Sequence, residues 1–109
     1  MIIVRIILDV LPEKQLEVRQ TLLALVKSGG KEPGCLECFV FGNIQDQNRF
    51  GLHQEWKTRD DLDQHIRSHR FGVLLGTRTL LSKPPSIKIH TVSQTQGMEA
   101  IHAVRNKPG

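Results

Sequence analysis

The strongest constraint on this chain is its first apolar run. Residues 2–10, Ile-Ile-Val-Arg-Ile-Ile-Leu-Asp-Val, put apolar side chains on both sides of an extended backbone. With a period of two, Ile2, Val4, Ile6, Leu8 and Val10 share one face, and Ile3 and Ile7 share the other with Arg5 and Asp9. A strand apolar on both faces is a strand covered on both faces. The run therefore predicts a central position in a sheet, with one layer packed above it and another below. It does not read as a secretory leader: it lacks a basic start, Arg5 interrupts it, and no small-residue cleavage site follows. No apolar run approaches the roughly 18 residues that span a membrane. The expectation is a cytoplasmic protein without a membrane partner.

The remaining elements follow from punctuation. Pro12 suits the first turn of a helix, with Glu13 near its positive end. Val18, Leu22, Leu25 and Val26 recur at helical spacing, and Ser28-Gly29-Gly30 closes the helix. After the Pro33-Gly34 turn, residues 35–42 read as a second strand. A polar loop, Asn43 to Asn48, leads to a third strand at residues 49–57, which forms a hairpin with the second. Thr58 followed by Asp61 is a helix-capping signature. The helix it opens carries Leu62, His65, Ile66 and His69 on its apolar face. Ser68 caps a further turn with Phe71, Leu74 and Leu75. Pro84-Pro85 ends helicity, and residues 86–93 alternate as a fourth strand.

The order β-α-β-β-α-β is the ferredoxin-like split unit: an α+β fold with two helices over one face of a four-stranded antiparallel sheet. Residues 1–93 form the domain. Residues 94–109 are a polar tail whose Met98, Ile101 and Val104 need cover, which a partner subunit would give. The other face of the first strand also needs a cover, and a second copy of the sheet is the simplest one, giving a two-fold dimer. At 109 residues the chain fits one domain with a thin core. Its net charge of +4 is spread along the chain with no dense basic stripe, which argues against a nucleic-acid partner.

Cys35 and Cys38 form C-x-x-C, but two cysteines cannot complete a four-thiolate zinc site. On a regular strand residues three apart face opposite ways, so both read as reduced core cysteines. No histidines and carboxylates stand at metal-ligand spacing, and the expectation is no metal. Trp56 and His65 each read alone as ordinary core. Together they border the space between sheet and helix, because the turn between them is short. Phe50, Leu52 and Gln54 share Trp56's side of the strand, giving an apolar cavity with a few polar groups, as small-molecule sites have. His53 and His90 fall on the opposite sheet face. His69 and Arg70 read as a solvated cap, and His102 as exposed.

Glu32-Pro33-Gly34-Cys35, Asn48-Arg49-Phe50, Glu55-Trp56, Leu62, His65 and the stretch from Ser68 to Phe71 resemble the antibiotic biosynthesis monooxygenase family. The resemblance runs from about Ile2 to Val92 and is densest from Arg49 to Phe71. It implies a dimeric α+β barrel with a pocket in each subunit. Some members of that family oxygenate phenols or quinols with dioxygen and no cofactor; others degrade haem, isomerise substrates or have no known activity. This chain departs from the family pattern at Gln54, where Glu is frequent, at Cys38, where Tyr is common, and at His69-Arg70, which replaces a Pro-His pair. The haem-ligand positions of haem-degrading relatives fall near Leu75 and Ile6, both apolar, which argues against haem chemistry.

The expected function is a cofactor-independent monooxygenase acting on a small phenolic, quinol or polyketide-like aromatic substrate. His65 is the general base, and Trp56, Gln54, Leu52, Phe71 and Leu74 contact the substrate. Two alternatives stay open: a non-catalytic small-molecule-binding dimer, and an isomerase or decarboxylase using the same pocket.

Overall fold

A computed structural model describes residues 1–29 and 31–108. The elements run β1 (Ile2–Asp9), a 3₁₀ turn at Pro12–Lys14, α1 (Gln15–Gly29), β2 (Cys35–Asn43), β3 (Asp46–Trp56), α2 (Arg59–Ile66), α3 (His69–Gly76), a 3₁₀ turn at Thr77–Leu80, β4 (Ser86–Thr91) and α4 (Met98–Arg105). Gly30, expected to close the first helix, lies outside the described residues.

The four strands form one antiparallel sheet in the order β2-β3-β1-β4, the ferredoxin-like arrangement. β1 is central, as its two apolar faces require. Ile2 pairs with Trp56, Val4 with Gln54, Ile6 with Leu52 and Leu8 with Phe50, so all eight side chains point to the helical side. All but the buried polar Gln54 form the core with Val10, Val18, Leu22, Leu62, Phe71, Leu74 and Leu81. On the opposite face Ile3 and Ile7 are half-buried, and Phe39 is exposed. Gly51 sits beneath the Phe41 ring on that face, where any side chain would collide with it.

Both caps form as expected. The Thr58 side chain accepts from the Asp61 amide at 3.1 Å, and the Ser68 side chain from the Phe71 amide at 3.2 Å. These two caps turn the chain twice in ten residues and aim His65, Phe71 and Leu74 at the sheet.

Four expectations need correction. The Asn43–Asn48 segment is a tight hairpin rather than a polar loop, because Asn43 Oδ1 accepts from the Gln45 amide and Asp46 Oδ1 from the Asn48 amide. The tail contains a helix, α4, whose first turn is closed by Glu99 accepting from the Gly97 amide at 2.8 Å. Leu75 is exposed, and His69 is exposed as a solvated cap rather than lying on the apolar face of α2, because α3 starts at His69 in a new direction and its buried face is Phe71 and Leu74.

The cysteines are the fourth correction. Cys35 pairs with Trp56, but Glu37 pairs with Glu55 and Cys38 with Gln54, so Leu36 is the extra residue of a bulge. The bulge shifts the pleat by one. Both thiols therefore lie on the helical face, half-buried and free rather than on opposite sides.

Candidate functional site

All six expected site residues line one cavity between the sheet and the helices. Leu52, Gln54 and Trp56 come from β3, His65 from α2, and Phe71 and Leu74 from α3. Leu25 and Val26 of α1, Glu32, Cys38 and Arg70 complete the wall. The open interior is about 20 Å³, room for one or two waters. Wider spaces exist, such as a groove of about 580 Å³ beside Leu75, Leu81, Pro84 and Pro85. That groove is open surface, whereas the cavity beside His65 encloses buried polar groups.

Those polar groups form a chain with a definite direction. The Trp56 indole can only donate, and its Nε1 lies 3.1 Å from Gln54 Oε1. The Gln54 amide is thereby oriented, so its Nε2 donates to His65 Nε2 at 3.2 Å. His65 Nε2 must then be the unprotonated nitrogen, and the ring proton sits on Nδ1. Nδ1 faces Glu32 Oε2 at 2.5 Å. Both atoms are buried; the contact has ion-pair distance without hydrogen-bond alignment, and neither atom has another partner among the described residues. Glu32 Oε1 takes the Arg70 guanidinium at 2.7 Å.

The His65 ring is clamped as well as oriented. Its centroid is 4.8 Å from that of Trp56 and 5.5 Å from that of Phe71, which meets it edge-on. Burial draws the imidazole below its ordinary range, and the charge of Glu32 works the other way. Burial also pushes the Cys38 thiol up to about 11, with the nearby Cys35 adding to the shift. Cys35 is raised too, by burial and by Glu32. Neither thiol is an activated nucleophile.

Glu32 and Arg70 are the residues that sequence reasoning missed as site residues. Arg70 is no solvated cap: it holds a carboxylate at the cavity wall. Glu32 reaches His65 from a turn far away in the chain. That turn is held by Gly34, whose φ of +79° suits glycine and whose Cα packs on Asp61 at the start of α2. Glu32 was visible only as part of the Glu-Pro-Gly-Cys motif.

On the outer side of the Glu32–His65 pair lies a second, polar cleft of about 130 Å³, lined by Glu32, Pro33, Trp56, Asp61, Gln64 and His65. On the far sheet face, Glu37, His53 and Glu55 bring one donor atom each within 4.8 Å of one another. Strand pairing makes this trio, which linear spacing did not reveal. His53 stacks on Phe39 at 4.8 Å and pairs with Glu55 at 2.9 Å. Among the described residues, no helix is long and apolar enough to cross a membrane.

Comparison with known proteins finds relatives of the same fold. The family profile described as antibiotic biosynthesis monooxygenase matches residues 1–74. A conserved protein from Methanosarcina mazei has 31% identity and a TM-score of 0.77, over 82% of this chain and 89% of its own. A candidate antibiotic biosynthesis monooxygenase from Deinococcus radiodurans shares the fold at a TM-score of 0.83 and 17% identity, over 89% and 97% of the two chains. An uncharacterized Synechocystis protein is 28% identical over 90 residues, which are 82% of this chain and 61% of that protein.

Proposed function

The chain belongs to the antibiotic biosynthesis monooxygenase family, and on that premise we propose that it oxygenates a small electron-rich aromatic, a phenol or quinol, with His65 as the base. One observation carries the reading: the Trp56–Gln54–His65 chain makes Nε2 the unprotonated nitrogen of a neutral imidazole, bonded to Gln54 in the wall of an apolar cavity.

The chemistry follows from what that atom can do. Dioxygen is a triplet and reacts slowly with closed-shell molecules. His65 Nε2 removes the hydroxyl proton, and the resulting anion passes one electron to dioxygen. The radical pair recombines to a peroxide anion, which takes the proton back from His65 Nε2. Nε2 then removes the hydrogen of the peroxide-bearing carbon as the O–O bond breaks, and the departing hydroxide takes that proton and leaves as water, with a new carbonyl behind. One oxygen atom enters the product and the other leaves as water, so the substrate supplies all the electrons. The apolar walls keep the anion dry and reactive. Trp56 and Phe71 stack on the ring, Leu52 and Leu74 set its width, and Gln54 binds its oxygen. A ring requires the walls to move apart, and the Gln54 amide must give up Nε2 to the substrate hydroxyl.

The test is oxygen uptake with hydroquinones and anthrone-like phenols. His65→Ala is expected to fold and to lose at least about a hundredfold in rate. Equal activity in that variant overturns the role of His65.

The contracted cavity and the occupied Nε2 favour a second reading, a non-catalytic binding protein. Saturable binding of the same phenols without oxygen uptake would support it. Conversion under anaerobic conditions would instead mark an isomerase or decarboxylase using the same pocket.

We further propose that the working unit is a homodimer joined through the open sheet face. Ile3, Ile7, Phe39 and Phe41 on that face would be covered by a second copy, and residues 94–109 would reach across to it. Light scattering that finds only monomer at micromolar concentration would refute this assembly.

A further inference from the structure

We propose that Glu37, His53 and Glu55 form a binding site for a divalent transition-metal ion of the zinc class, at a corner of the open sheet face. The site is separate from the cavity beside His65, and it stands or falls without the oxygenase reading.

The register of two strands brings the three donors together. His53 and Glu55 are two residues apart on β3 and so share one face. Glu37 comes from β2, directly opposite Glu55. It reaches that face because of the bulge: on an unbroken ladder from Cys35, Leu36 would stand opposite Glu55 and Glu37 would turn toward the helices. One donor atom from each residue lies within 4.8 Å of the other two, and His53 Nε2 is 2.9 Å from Glu55 Oε2. Donors around one zinc ion stand about 3.3 Å apart, so small side-chain rotations close the set. The His53 ring is already held, stacked on Phe39 with centroids 4.8 Å apart.

The negative charge of the corner is poorly compensated. Like charges directly opposite on paired strands repel, and among the described residues neither Glu37 nor Glu55 pairs with a lysine or arginine. Arg5 stands opposite His53 on the same face, yet its guanidinium lies over the Phe41 ring, 5.5 Å from the centroid. A cation between the carboxylates supplies the missing charge. The donors select its kind: an imidazole nitrogen with two carboxylates suits zinc, whereas magnesium demands oxygen ligands and keeps its waters. Glu37 is exposed and on an edge strand, so the ion enters from solvent. His53 Nε2 donates to the Glu55 carboxylate, and it gives up that proton to become a ligand. Three ligands rising from the sheet leave the fourth tetrahedral position pointing away from it.

Chelator-stripped protein titrated with Zn²⁺ by calorimetry should bind one ion per chain at micromolar concentration, and excess Mg²⁺ should not displace it. His53→Ala and Glu55→Gln should each weaken binding at least about tenfold, while His90→Ala, a histidine on the same face, should bind as wild type does. The second variant keeps the size of its side chain, and circular dichroism of both checks that they fold. ¹⁵N shifts should show His53 Nε2 changing from protonated to metal-bound, and Co²⁺ in the same site should show no thiolate charge-transfer band. Absence of Zn²⁺ binding, displacement by Mg²⁺, undiminished affinity in folded His53→Ala or Glu55→Gln, an equal loss in His90→Ala, or a thiolate band from Cys35 or Cys38 overturns the proposal.

Discussion

Replacing Gln54 with leucine tests the polar chain directly. Leucine is of similar size, so the packing against Leu52 and Phe71 survives, but two bonds vanish together. The Trp56 Nε1–H loses its acceptor at 3.1 Å and His65 Nε2 loses its donor at 3.2 Å. Both residues are deeply buried, Trp56 at 1% and His65 at 6% exposure, so water does not readily replace the lost partners. Each orphaned group costs about 1–3 kcal/mol, against roughly 1 kcal/mol gained from a more apolar side chain. The net loss is about 1–5 kcal/mol, centred near 3. For a domain of this size that lowers Tm by roughly 12–24 °C at the centre of the range. Urea unfolding at fixed protein concentration should show a lower midpoint with an unchanged slope. In a Trp56→Phe background, which has no indole N–H to orphan, the cost of Gln54→Leu should shrink by about 1–3 kcal/mol. A Gln54→Leu protein as stable as wild type, or an equal cost in both backgrounds, would refute the directed chain and the tautomer deduced from it.

Other consequences are as concrete. His65 is held below its ordinary value, so between its folded and unfolded pKa the unfolded chain binds more protons; stability should therefore fall as pH drops below about 6.5, and thermal melts of His65→Asn should lack that component. Gly34→Ala forces a side chain into a left-handed backbone and into Asp61, and should cost at least about 1 kcal/mol by urea unfolding. Leu52→Ala opens the cavity wall and should cost about 2–5 kcal/mol, while raising the affinity of small arenes measured by calorimetry.

The fold was legible because its signals are local and repeat. The two-faced apolar run of β1, the caps at Thr58 and Ser68, and the strand phase of Leu52, Gln54 and Trp56 each depend on neighbours within a few residues. Helical phase then brought His65, Phe71 and Leu74 to the same cavity. What stayed hidden depends on single events or distant pairs. The bulge at Leu36 moves one residue without any glycine to announce it, and it reversed the placement of Cys38 relative to Cys35. Glu32 meets His65 only because the Gly34 turn rests on α2, a contact no periodicity encodes. Asn43 and Asp46 looked like loop residues because their side chains build the turn that ends the loop. The helix α4 escaped notice in a polar tail because a single Glu99 side chain closes its first turn.

The bulge in β2 also bears on how copies of this chain can meet. A sheet of four strands ends in two open edges, here β2 and β4, and open edges invite end-to-end growth into fibrous aggregates. At Leu36 the regular ladder of β2 is broken by the extra residue and the edge is twisted away from a flat template. The β4 edge is only six residues long, carries Lys88 and follows Pro84-Pro85. Both edges thus resist lateral extension, while the broad face bearing Phe39 and Phe41 does not. In the face-to-face dimer proposed above association closes after two copies, so the same one-residue insertion that turned a thiol toward the cavity also disfavours growth into a filament.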